Sequence, residues 1–527
     1  MFRQPNMAVT IELFENPYVL QGLAAAIFLV YVSHFLRDLS DGFPYKNIPL
    51  VGKTRWELSN TKAKERFVNS ANELIQQGFS QGKSAFQAMF SHSLMIVLHP
   101  RLMNEVKSHP HLSFDEATKR LFFGGQFPGF EVFDGQDKDH IVLNIINKKI
   151  TQTLGQQTIP LSKETASLLK DTFSESDEWQ PFVFAKEIPH MVARLSSLVF
   201  MGEEICHNKE WLDVSVNYTI DSFVAARELR LWPAALRHVV HWFLPSARKV
   251  RNDMSVARRI VQGEIEKRRL IREGKLPGKG EKTHPTVLDW IEEASAGRPF
   301  DETRAQVGLS LAAIHTTSNM LTNVLYDLTA YPEHIQPLRD EIKAVLEEDG
   351  GLMKTSLVKM KLLDSVMKET QRMNPAGMTS INRVAIKDVP LSDGTVIPKG
   401  AGVVVSGHIM QDDSVYPNAQ RYDGYRFYNK RQAPGHEHRH QFVTTTPEHF
   451  GFGHGQHACP GRFFATNEMK IFLVHLLLKY DWKFVEQQGR PKNILHGTEN
   501  ICDRNVKFLF KPRQPEVDLA LLGEGTA

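Results

Sequence analysis

Cysteine is nearly absent: 527 residues carry only Cys206, Cys459 and Cys502. So sparse and odd a set provides no disulfide framework, and most of the chain is expected to face a reducing compartment. No period of roughly 20–50 residues recurs, which speaks against a solenoid or propeller. Charge of one sign is not in excess: the net charge of +3 over this length gives no footprint for nucleic acid. The 23% charged and 42% hydrophobic fractions belong to a globular chain, not a disordered one.

Residues 18–36, YVLQGLAAAIFLVYVSHFL, lack Asp, Glu, Lys and Arg altogether. A helix over this run would measure roughly 28 Å, close to the hydrocarbon thickness of a bilayer. Asn16 and Pro17 suit its N-cap and first turn. No small-residue cleavage site follows, so a retained single-pass anchor is expected rather than a signal peptide. Arg3 alone is basic before the run, whereas Arg37, Lys46, Lys53 and Arg55 follow it. The positive-inside rule then puts the C-terminal side in the cytoplasm and residues 1–17 in the lumen as a short tail. Two prolines, Pro44 and Pro49, make residues 37–53 a stiff linker.

Residues 54–515 read as one mainly α-helical body with a smaller β region, followed by a tail over 516–527. Apolar residues recur at helical spacing over 62–77, 163–172, 208–229, 255–273, 302–331, 332–348 and 357–373. The stretch 302–331 has no proline, and a helix of that length is expected to run through the centre of the domain. Strands are expected over 91–98, 379–386, 389–397 and 402–406.

Cys459 stands in FGFGHGQHACPGRFFA, residues 450–465. Gly451, Gly453 and Gly455 permit a tight loop and close approach to a flat ligand. A helical pattern starts at Arg462, so the sulfur lies just ahead of a helix N-terminus, where backbone N–H groups favour a thiolate. The absence of a second cysteine nearby speaks against a zinc or iron–sulfur site and points to a nucleophile or a single-thiolate metal ligand.

The run Phe452-Gly453-His454-Gly455-Gln456-His457-Ala458-Cys459-Pro460-Gly461 resembles the haem-binding loop of the cytochrome P-450 family, F-x-x-G-x-x-x-C-x-G, at every fixed position. The resemblance implies a cytochrome P-450 fold with one N-terminal transmembrane helix, and haem b held by Cys459 as axial thiolate ligand. Phe452, Gly455 and Gly461 would shape the loop, while His457 would bond a haem propionate. Glu369 and Arg372 match the family's E-x-x-R, and Arg426 in DGYRF would complete a structural triad, although the usual Pro and Glu are missing there. In the long helix, AAIHTT is similar to the family's A/G-G-x-D/E-T: Thr316 stands where a hydroxyl relays protons and His315 where an acid usually stands. Arg383 matches a propionate-binding arginine. The family's W-x-x-x-R is missing near residue 140, where Lys148 and Lys149 are its only candidate substitutes.

The combination of HTTS, DGYRF and HACPGRFFA with ELRLWP at 228–233 looks like filamentous-fungal members of secondary metabolism, ent-kaurene oxidase and gibberellin-forming oxidases among them. The resemblance thus implies a monooxygenase of the endoplasmic reticulum membrane that inserts oxygen from O2 into a C–H bond of a hydrophobic, terpenoid-like molecule. NADPH–cytochrome P-450 reductase, with cytochrome b5 as a second donor, would be its partners, alongside membrane lipid. Substrate contacts are expected from residues 122–133, 222–231, 378–381 and 495–501 and from the long helix. A haem-thiolate isomerase or dehydratase, or a non-catalytic haem sensor or lipid carrier, are the competing readings.

Overall fold

The computed structural model describes residues 41–80, 82–135, 140–174, 176–277, 284–486 and 489–524, with scattered positions between Tyr18 and Leu39. Among the described residues no helix is long and apolar enough to cross a membrane. Much of the expected anchor over 18–36, and most of the tail before it, lies outside them.

A mixed six-stranded sheet forms one side of the body. Its strands are β1 (Leu50–Val51), β2 (Ala85–Met89), β3 (Leu94–Leu98), β4 (Leu112–Ser113), β5 (Thr379–Ala385) and β6 (Gly402–Ser406), in spatial order β1-β2-β3-β6-β5-β4. β2 and β3 are buried on both faces and therefore carry continuous apolar runs rather than alternation. The proline segment is fastened to this sheet. The buried Gln87 side chain donates to the carbonyls of Tyr45 and Ile48 and accepts from Tyr45 N–H. Asp41 pairs with Lys64 at 2.6 Å.

The helices that build the site are α1 (Thr61–Ser80), α2 (Phe114–Phe122), α3 (Thr151–Thr172), α4 (Phe184–Phe200), α5 (Lys209–Arg230), α6 (Ala234–Val240), α7 (Pro245–Arg272), α8 (Glu302–Ala330), α9 (Lys361–Met373) and α10 (Arg462–Lys479). α8 runs through the middle, packed by α4, α5, α7 and α9, while α10 packs on α3. Asp301 caps α8 by accepting from Arg304 N–H, and Tyr331 before Pro332 ends it. α3 starts twelve residues earlier than its apolar spacing suggests, because Pro160 lies inside it. The same effect hides α4, which contains Pro189. The expected strand over 389–397 is instead a tight hairpin, Val389–Pro390 against Val396–Ile397.

Candidate functional site

Cys459 sits between the glycine loop and α10. Its N–H donates to Phe452 O at 2.8 Å, which closes the loop around the sulfur. Burial pushes the Cys459 thiol up, while the N–H groups of Gly461 and Arg462 and the Arg462 charge pull the other way. The helix start thus acts as the spacing predicts, with burial opposing it more strongly. Cys206 and Cys502 are buried and free, and burial raises both thiols as well.

The loop is held in place from outside. Gly455 has φ +82°, and a Cβ there would lie 2.8 Å from Lys107 Cβ and Ser108 Oγ, so glycine is required on both counts. Gln456 N–H donates to Ser108 Oγ, and His454 lies between Lys107 Nζ and Thr445 Oγ1. Phe452 meets Phe442 edge to face at 5.0 Å.

Beneath the loop, Glu369, Arg372 and Arg426 form the expected triad, with side chains 0%, 0% and 8% exposed. Arg372 Nε and Nη2 grip the two carboxylate oxygens at 2.8 Å, and Arg426 Nε adds contacts at 3.0 and 3.1 Å. Further guanidinium hydrogens go to the carbonyls of Met410, Pro417, Asn418 and Arg421. A buried charge cluster survives only with such extensive pairing. It ties α9 to the segment 410–426 that precedes the cysteine loop.

Above the sulfur lies a cavity of about 290 Å³, lined by Cys459, Phe452, Gly461, Thr316, Ala312 and Ala313 among others. No acidic side chain lines it among the described residues. α8 runs unbroken past this point. Thr316 Oγ1 donates to Ala312 O at 2.8 Å, the ordinary use of a mid-helix threonine, yet the side chain borders the cavity. Ile146 and Ile150 form another wall. They lie on a π-helical turn, Ile145–Ile150, a geometry frequent at functional sites. Gln371 joins them, bonded to the buried His449 at 3.0 Å. A glutamine or isoleucine in a helix carries no sequence signal for such a role.

His315 is not brought to this cavity. One residue further back on α8, it is rotated roughly 100° away, and its Nε2 lies 2.8 Å from Val216 O on α5. Burial lowers its basicity, opposed by that hydrogen bond. Lys149 turns toward Glu293 at 3.4 Å, and Lys148 is exposed.

Arg383 is buried at one edge of β5. A bulge between Ser380 and Arg383, with Ile381 at φ +54°, shifts the register and re-aims the arginine. Its recorded hydrogen bond goes to Asn382 O, and no carboxylate pairs with it among the described residues. The guanidinium lies 5.3 Å over the Phe114 ring, whose other contact is the His457 ring at 5.7 Å. Burial pulls Arg383 down to about 10, opposed by Asp115. Burial likewise lowers His457, which Arg383 reinforces.

These features fit a flat apolar cofactor with acidic edges. Gly461 has an ordinary φ of −83°, so its backbone does not demand glycine, and a Cβ there would enter open space beside the sulfur. Arg383 and His457 offer donors for carboxylates. The expected phenylalanine lining does not form here: Phe127, Phe130 and Phe133 are buried in the core, and only Phe122 and Phe123 face other cavities.

A sequence profile of the family described as Cytochrome P-450 matches residues 49–512. The chain is 38% identical over 510 residues to the cytochrome P-450 monooxygenase esdpI of Penicillium shearii, covering 96% of this chain and 98% of that one. It is 43% identical over 468 residues to the monooxygenase hepE of Aspergillus oryzae, covering 87% and 84%. With calE of Penicillium decumbens, another such monooxygenase, it shares 36% over 527 residues, 98% and 99% of the two chains.

Proposed function

Because the chain belongs to the cytochrome P-450 family and is a haem monooxygenase that uses O2 and NADPH-derived electrons, we propose that it hydroxylates, once or in succession, an apolar terpenoid intermediate of fungal secondary metabolism. The observation that carries this reading is the placement of Cys459 and Thr316 on one apolar cavity. Haem iron, when bound, supplies the activation of O2 that insertion into a C–H bond requires.

The chain's own residues do the rest. Cys459 would hold the haem iron through its sulfur, which the N–H groups of Gly461 and Arg462 steady. Phe452, Gly455 and Gly461 shape the loop, and Arg383 and His457 would hold the propionates. Glu369, Arg372 and Arg426 hold the loop's base. Thr316 is the hydroxyl that holds a proton at Oγ1 beside the reacting face. His315 bonds a backbone carbonyl instead, so the relay is assigned to Thr316 and water. The aliphatic walls exclude bulk water from the reacting centre.

In this reading residues 1–17 are lumenal, 18–36 span the endoplasmic reticulum membrane, 37–53 link and 54–515 catalyse on the cytoplasmic side, ahead of a tail over 516–527. The uncharged run and the basic residues after it support that orientation. So do the exposed apolar side chains Leu231, Trp232, Leu236, Val239, Trp242 and Phe243 in and beside α6, a patch suited to lipid. NADPH–cytochrome P-450 reductase, with cytochrome b5 as second donor, delivers electrons on the cytoplasmic side. The test is co-expression with the reductase, feeding of candidate terpenoids and mass spectrometry. A gain of one oxygen that depends on NADPH supports the reading, whereas product formed without NADPH overturns it in favour of an isomerase or dehydratase.

A further inference from the structure

The larger cavity, about 610 Å³, lies away from the cysteine and is lined by cations. Lys64, Arg120, Arg227, Arg230 and Arg237 face it against two carboxylates, Asp41 and Glu65. Asp41 is taken by Lys64 and Asn60, and Arg227 pairs with Glu499 at 2.8 Å. Arg120 pairs with Glu116 and donates to Gly400 O. Arg237 donates to two carbonyls and covers the Phe123 ring. Arg230 is different: it donates to Leu121 O, and among the described residues no carboxylate lies within ion-pair distance of it, Glu499 acting on it only from further off while paired with Arg227. Burial, with Arg227 and Arg237 nearby, pulls it down to about 10. A guanidinium held in this way is short of an anion.

A second cavity of about 220 Å³ adjoins the first, sharing Arg227, Arg230, Leu121 and Asn382, and its other walls include Phe67, Phe90, Phe122 and Phe223. It reaches Thr379 and Glu499, while Ala376 on the same strip borders the cysteine cavity. The paired cavities thus offer a charged end and an aromatic body on the way to the site. We propose that they receive an apolar substrate bearing a carboxylate, with Arg230 as its principal anchor and Arg227 in support. The planar fork of arginine matches a carboxylate bidentately. The inference deepens the oxygenase reading and rests on it for the direction in which the substrate travels.

The test is calorimetric binding to the holoenzyme in detergent, with farnesoic acid and methyl farnesoate as probes and no reductase present. The wild type should bind the acid about tenfold or more tighter than the ester. Arg230→Gln should abolish that preference while leaving ester affinity within about twofold. Equal binding of acid and ester by the wild type, no saturable binding of the acid to about 1 mM, or a preference that survives Arg230→Gln overturns the proposal. The wild-type ratio decides alone if the variant does not fold. If Arg230→Gln instead loses only binding to phosphatidylserine over phosphatidylcholine vesicles, the anion is a lipid headgroup and the proposal fails. Binding needs no turnover, so an acid preference without oxygenated product would sink the oxygenase reading and spare the site.

Discussion

Glu369→Gln removes the one negative charge between two buried guanidinium groups. The carboxylate accepts from Arg372 Nε and Nη2, from Arg426 Nε and from Asp423 N–H. Glutamine keeps one acceptor oxygen but turns an NH2 toward a cation. Breaking a buried pair by removing one partner costs about 3–5 kcal/mol, a large share of a typical net stability of about 5–15 kcal/mol. Replacing the whole triad with apolar residues is often neutral in other proteins. Here it should not be, because Met410, Pro417 and Arg421 would each lose a donor at about 1–3 kcal/mol per orphaned carbonyl, whereas Asn418 O keeps the Arg421 N–H. The assay is urea unfolding followed by far-UV circular dichroism and by haem absorbance. Glu369→Gln should unfold at clearly lower urea and lose haem first, and the apolar triple variant should be worse. A Glu369→Gln protein within about 0.5 kcal/mol of wild type, or a triple variant more stable than the single, would refute the reasoning.

Thr316→Ala should lower product formation about a hundredfold while the reduced-CO spectrum is retained, and Thr316→Ser should restore much of the rate; equal turnover in all three proteins contradicts the role given to the hydroxyl. Arg383→Gln should speed haem loss to apomyoglobin by roughly 10–100-fold, and Arg383→Lys should rescue it only in part, since an ammonium lacks the fork. Glu468 is buried and raised from 4.5 to about 8, chiefly by burial, with Ser196 donating to one oxygen and the other oxygen unpaired. A folded-state pKa above the unfolded one means that stability falls as pH rises from about 4.5 to 8, by at most about 5 kcal/mol at 1.36 per unit. Glu468→Gln should flatten that slope in urea midpoints measured from pH 5 to 8, and an unchanged slope counts against it.

The Glu369–Arg372 pair and the cysteine loop are legible in the sequence because their geometry is local: a three-residue spacing places Glu369 and Arg372 on one helix face, whereas Arg426, 57 residues from Glu369, joined them only through the family resemblance. The same spacing logic placed α8 to within a residue. It missed α4 and the first half of α3, where Pro189 and Pro160 break a pattern that tertiary packing overrides. It could not separate Phe127, Phe130 and Phe133, which are buried in the core, from Phe122 and Phe123, which border cavities, since an apolar side chain looks alike in a core and in a pocket. His315 sits beside Thr316 in sequence, yet helical rotation turns it to α5. The arginine cavity was invisible because Lys64, Arg120, Arg230 and Arg237 meet only once α1, α2, α5 and α6 are folded together.

The central claim is that Cys459 presents a thiolate to haem iron. The direct measurement is the reduced-CO difference spectrum of the purified protein beside Cys459→Ser and Cys459→His. The wild type should give the thiolate-shifted band, and both variants should lose it while Cys206→Ser and Cys502→Ser keep it. A wild-type spectrum without that band, or a band that persists in Cys459→Ser, would contradict the account.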